Sequence, residues 1–102
     1  MKMKIALSAF VTTMLIINSA SAERVWEDTN IKLSDGSYLW ATVDYNGGCY
    51  NLLVGSTNGI SGNASNCSSN INGYWSTHAC GSNLGGVNGG ISEVINAILR
   101  GC

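Results

Sequence analysis

Four cysteines constrain this chain more than any other feature. Cys49, Cys67, Cys80 and Cys102 all lie in the C-terminal 54 residues of a 102-residue sequence, and the last of them is the final residue. They bracket the half of the chain richest in Gly, Asn and Ser, residues with little apolar surface to bury and, for Gly, a large entropy loss on ordering. An even cysteine count in a short exported sequence reads as a disulfide framework, and four cysteines allow three connectivities. Cys49–Cys67 with Cys80–Cys102 closes the shorter loops, and nested or crossed pairings close longer ones. Each such loop contributes about 3 kcal/mol in the chain-entropy model. A zinc site is a weaker reading: His78 and Cys80 are close, but no C-x-x-C occurs and oxidised cysteines do not ligate. No metal and no cofactor are expected.

The export reading comes from the N-terminus. Lys2 and Lys4 precede an apolar run from Ile5 to Ile17, and Ala20-Ser21-Ala22 supplies the small residues of a cleavage site. This is the pattern of a bacterial-type secretory signal peptide over 1–22. The run is shorter than the roughly 20 residues a spanning helix requires. Cleavage leaves a single domain over 23–102 in a secreted or periplasmic location, without a transmembrane anchor, where disulfides persist. Of those 80 residues, 34 are Gly, Asn or Ser. A core this thin is marginal without covalent help.

Charge excludes one large class of partner. Five Lys and Arg oppose six Asp and Glu, and the formal net charge is −1. A nucleic-acid binder needs a basic stripe that this chain lacks.

The pattern along 23–102 predicts an α+β domain: an antiparallel meander of about three to four strands, long Gly/Asn/Ser-rich loops, and one C-terminal amphipathic helix. Alternating runs flank Asp35-Gly36, which predicts a two-residue type I′ hairpin. Leu39, Ala41, Val43 and Tyr45 fall on one face of the next strand; Tyr38, Trp40, Thr42 and Asp44 fall on the other. Both faces carry bulk, which suits a sheet covered on one side and used or partly covered on the other. Asn46-Gly47-Gly48 predicts a second turn and Cys49–Val54 a third strand. The segments 55–73 and 81–90 read as loops around a short strand at Tyr74–Thr77. Ile91, Val94, Ile95, Ile98 and Leu99 share one helical face, with Glu93 and Arg100 suited to the dipole and Gly101 to the C′ position.

Catalytic groups are sparse. His78 is the only histidine; Asp35 or Asp44 could complete a triad on paper, but no G-x-S-x-G elbow or phosphate-binding loop occurs. The chain reads as non-catalytic. Its aromatics are more telling: Trp40, Tyr50, Tyr74 and Trp75 sit among Asn, Gly and Ser. That mixture serves recognition of proteins or glycans, and equally fills a core short of aliphatics. Trp40 and Trp75 are expected to be the exposed pair. The leading expectation is a binding module for a protein or glycan. The alternative is a small secreted toxin or antibacterial peptide acting through the Gly-rich segment and C-terminal helix.

Two local resemblances concern the C-terminal third. Thr77-His78-Ala79-Cys80 followed by Gly89-Gly90-Ile91-Ser92-Glu93-Val94-Ile95 is similar to the tail of Shiga-type toxin B subunits, a glycolipid-binding family. An insertion separates the two pieces, and a helix follows where that family ends in a strand. Leu99-Arg100-Gly101-Cys102 resembles the ending of small heat-stable enterotoxins. Neither transfers a functional residue.

Overall fold

Period-two alternation continues well beyond the segments where it is obvious in the sequence. The computed structural model describes residues 22–102, so the leader read over 1–22 lies outside the described residues apart from Ala22. Six strands follow one another: β1 (Glu23–Lys32), β2 (Tyr38–Asn46), β3 (Cys49–Ser56), β4 (Gly62–Asn66), β5 (Tyr74–Ala79) and β6 (Ser82–Asn88). They form one antiparallel sheet in the order β1-β2-β3-β4-β5-β6, and helix α1 (Ile91–Gly101) closes the chain. The meander therefore has six strands rather than three to four. The first strand begins at Glu23, and β4 and β6 run through segments read as loops.

The physical reason lies in the neighbours. β4 carries one buried aliphatic, Ala64, yet every residue from Gly62 to Asn66 pairs with β3 and most pair with β5. Strand preference reflects fit to flanking strands more than intrinsic backbone bias. In β6 the period-two signal is broken by a register shift opposite Thr77 and His78. Leu84 and Val87, three residues apart, therefore both pack against the core.

The β1–β2 connection also differs from the expected two-residue turn. Leu33 N–H donates to Ser37 O (2.8 Å) and Gly36 N–H to Leu33 O (3.0 Å). The loop is thus Ser34-Asp35-Gly36, with Gly36 at φ 89° providing the left-handed residue of a bulged three-residue hairpin. The Gly47-Gly48 turn joining β2 and β3 matches expectation, both residues having positive φ (63° and 86°).

Helix α1 lies on one face of the sheet, chiefly against β5 and β6. Val94, Ile95, Ala97 and Ile98 are buried beneath it, meeting Leu39, Ala41, Val43, Leu52, Val54, Ala64, Trp75 and Ala79 from the sheet. The Glu93 carboxylate accepts from Gly90 N–H (2.8 Å), closing the first turn. Cys102, not Gly101, is the C-terminal cap, and its N–H donates to Ile98 O. Gly101 serves closeness instead: a Cβ there would lie 2.8–2.9 Å from the Leu84 methyls.

Both disulfides take the shorter-loop pairing, Cys49–Cys67 and Cys80–Cys102, spanning 18 and 22 residues. The first ties the start of β3 to the loop after β4. The second holds the helix end to the β5–β6 turn. That loop after β4 is also organised from within by Asn66, which is buried. Its side chain donates to Asn70 O (2.8 Å) and accepts from Ser68 N–H and O–H.

Candidate functional site

Among the described residues, the helix covers one face of the sheet and the other is bare. Alternation sends Tyr38, Trp40, Thr42 and Asp44 of β2 to the bare side, as the sequence pattern implies. The register then identifies what stands beside them. One row crosses all six strands: Glu27, Thr42, Leu53, Asn63, His78, Asn83. The adjacent row reads Arg24, Asp44, Asn51, Ser65, Ser76, Gly86. From β3 to β6 these rows hold no Asp, Glu, Lys or Arg, and apart from Gly86 and Leu53, which is 59% exposed, their side chains are polar.

Charge on this face is confined to the β1–β2 margin, where Arg24, Glu27 and Asp44 pair with one another and Lys32 stands opposite Tyr38. The Arg24 guanidinium donates to Asp44 and, at 3.0 Å, to Glu27. Those hydrogen bonds, Asp44 first, raise its pKa above the usual arginine value.

Three exposed aromatic rings stand on this face, Tyr38, Trp40 and Tyr74, and the last two each lie over a glycine on the neighbouring strand. A Cβ on Gly55 would lie 2.7 Å from Cε2, Cζ2 and Nε1 of Trp40 alike, so the indole lies face-down on that backbone. Tyr74 covers Gly86 in the same manner, its Cε1, Cζ and Oη being nearest. Trp40 and Tyr74 are 43% and 52% exposed, so each ring keeps an outer side in contact with water. Beside Tyr74 the surface sinks into a depression of about 350 Å³, lined also by Ser65, Cys67, Ser68 and Ser76.

The other two expected aromatics are on the inner face, and this corrects the expectation of an exposed Trp40–Trp75 pair. Trp75 is fully buried, and its indole N–H donates to Ile71 O (3.1 Å) and Gly89 O (3.2 Å). Tyr50 is half-buried between Tyr45 and Trp75, with ring centroids 4.8 and 6.3 Å away. Both are packing residues. The polar members of the bare face (Asn51, Asn63, Ser65, Ser76, His78, Asn83) escape a search for aromatics. Period-two parity through β4 and β5 was the signal for them.

His78 stands in strand β5, between Asn63 and Asn83. The two aspartates considered as its partners are engaged elsewhere: Asp44 with Arg24, and Asp35 with Ser37 and Asn58. Those hydrogen bonds lower the Asp35 pKa to about 2, Ser37 contributing most. Among the described residues, no group of three or more His, Cys, Asp and Glu is arranged for a metal ion. Nor is any described helix long and apolar enough to cross a membrane.

A second concavity, about 380 Å³, opens on the opposite side between β1 and α1. Trp26, Ile31, Ile91, Ile95 and Leu99 make it largely apolar. Comparison with known proteins adds no relative to either surface: no family model, no curated protein and no solved structure matches the chain.

Proposed function

We propose that this chain is an exported, non-catalytic binding module that recognises a glycan on the bare face of its sheet. One observation carries the reading: two water-exposed aromatic rings, Trp40 and Tyr74, flank a neutral field of amide and hydroxyl side chains. Sugar rings present apolar C–H faces that lie on aromatic rings and hydroxyls that bond to Asn, Ser and His. The rings are held against backbone, so little side-chain entropy remains to be lost on binding. A protein partner would use the same surface less well. Protein interfaces concentrate their energy in a desolvated apolar centre, whereas among the described residues Leu53 is the one large aliphatic exposed on β3 to β6.

The toxin alternative gains no comparable support. Its helix would act through Val94, Ile95 and Ile98, and these side chains are buried against the sheet. Secretion or periplasmic residence fits the two disulfides and the N-terminal leader pattern.

The test is a glycan screen with the oxidised 23–102 protein, repeated with Trp40→Ala and Tyr74→Ala. The expected result is binding that Tyr74→Ala weakens at least tenfold, and that Trp40→Ala weakens at least tenfold for glycans long enough to reach both rings, while thermal unfolding stays cooperative. Glycan binding that survives both substitutions would remove the bare face as the site.

A further inference from the structure

We infer that the bare face binds one extended neutral oligosaccharide, laid diagonally from Tyr74 to Trp40, rather than a single sugar ring. The inference rests on the glycan reading above and adds the size, charge and orientation of the ligand.

Size follows from the register. The Tyr74 ring lies over Gly86 on β6 and the Trp40 ring over Gly55 on β3. These glycines are three strand spacings apart across the sheet. Gly86 is opposite Ser76 in one row, and Gly55 is two rows further along, beyond the row of Leu53 and Asn63. With strands about 4.8 Å apart and about 6.8 Å between same-face residues, the two platforms are separated by about 20 Å. An extended pyranose chain advances about 5 Å per unit, so the separation is about four steps and a ring on each platform takes about five units at that strand geometry. No mono- or disaccharide spans it.

The path between the platforms has the chemistry such a chain needs. It crosses Ser76 and His78 of β5, then Ser65 and Asn63 of β4, which supply donors and acceptors, and then Leu53, whose exposed side chain offers an apolar support before Trp40. None of these residues is an Asp, Glu, Lys or Arg. Of the cations on this face, Arg24 is committed to Asp44 and Glu27, and Lys32 stands opposite Tyr38 on the outermost strand, off the line of the path. A carboxylated or sulfated sugar would therefore find no counter-charge along the path.

The two ends differ in shape. Tyr74 borders the depression that Ser65, Ser68 and Ser76 line, whereas the Trp40 indole lies flat on the Gly55 backbone. The Tyr74 end therefore anchors one sugar by contact and hydroxyl bonding together, and the Trp40 end adds affinity only when the chain is long enough to reach it.

Calorimetric titration with neutral homo-oligosaccharides of glucose, galactose, mannose and N-acetylglucosamine, and with oligogalacturonate as the anionic counterpart, two to six units long, tests this. For whichever series binds, affinity should rise at least tenfold between two and five units. Trp40→Ala should abolish that rise and leave the short-chain affinity in place, whereas Tyr74→Ala should weaken all lengths. Gly55→Ala, which lifts the indole from the backbone without removing it, should reproduce the Trp40→Ala pattern. Equal affinity at every length would overturn the spanning ligand while sparing the glycan reading, as would binding only to an anionic glycan. If no sugar of either kind bound the folded protein, both would fall.

Discussion

Tyr74 and Trp75 are adjacent in the chain and lie on opposite faces of the sheet. Trp75 is sealed between the sheet and α1, with both its indole edge and its faces occupied by protein. Tyr74 rests on Gly86 with half its surface in water. The inner face combines its aromatics with Leu, Val, Ile and Ala; the bare face combines its own with Asn, Ser, Thr and His. The same residue types thus supply cohesion on one side and a platform on the other. What distinguishes them is whether α1 lies overhead.

The sharpest way to break that comparison is to truncate each ring in turn. Trp75→Ala should cost about 3–5 kcal/mol, the range for emptying a large buried aromatic site. It also leaves Ile71 O and Gly89 O without their indole donor. For a domain this small, that loss approaches the whole stability, and chemical denaturation should show little or no native baseline. Tyr74→Ala and Trp40→Ala should each shift stability by less than about 1 kcal/mol, because exposed positions carry little folding energy. A large loss at Tyr74 would mean that the bare face is structural after all.

Second in size is the covalent contribution to the covered face. Replacing Cys80 and Cys102 together by Ser should remove about 2–4 kcal/mol and free the end of α1. The midpoint of urea unfolding measures the first effect. Amide hydrogen exchange at Ile98–Arg100 measures the second, with protection there falling more than in β2 and β3.

The smallest expected effect concerns pH and the loop that joins β1 to β2. Asp35 has a folded-state pKa of about 2, below the ordinary 3.8, because its carboxylate accepts from Ser37 and Asn58. A depressed carboxyl pKa stabilises the fold above the unfolded value, and that contribution is lost as pH falls from 3.8 towards about 2. The group is fully exposed, so the change is small. Thermal unfolding across this window should show a steeper acid loss in the wild type than in Asp35→Asn.

The parts of this architecture legible in the sequence are those where local signals agree. Alternation in β2 and β3, the Gly47-Gly48 turn, the apolar stripe of α1 and the shorter-loop disulfide pairing all appear in the structure as read. β4 was illegible because Gly62-Asn63-Ala64-Ser65-Asn66 holds a single aliphatic residue, and its strand character comes from β3 and β5 on either side. β6 was illegible because the register shift displaces Leu84 and Val87 from period two. Of the four aromatics singled out, Trp40 and Tyr74 are on the bare face and Tyr50 and Trp75 are not. Composition does not carry that distinction. In β5 the small residues Thr77 and Ala79 mark the parity that packs under the helix, and Trp75 shares it.

Indole N–H signals provide the most direct test of the account, since Trp26, Trp40 and Trp75 report on three different surroundings. In a two-dimensional NMR titration of the 15N-labelled oxidised protein with a binding neutral oligosaccharide, the Trp40 indole should move. The amides of Asn63, Ser65, Ser76 and His78 should move with it, while the Trp75 and Trp26 indoles stay in place. Shifts at Trp26, Ile91 and Leu99 instead would place the ligand in the apolar cleft between β1 and α1 and contradict the division of labour between the two faces.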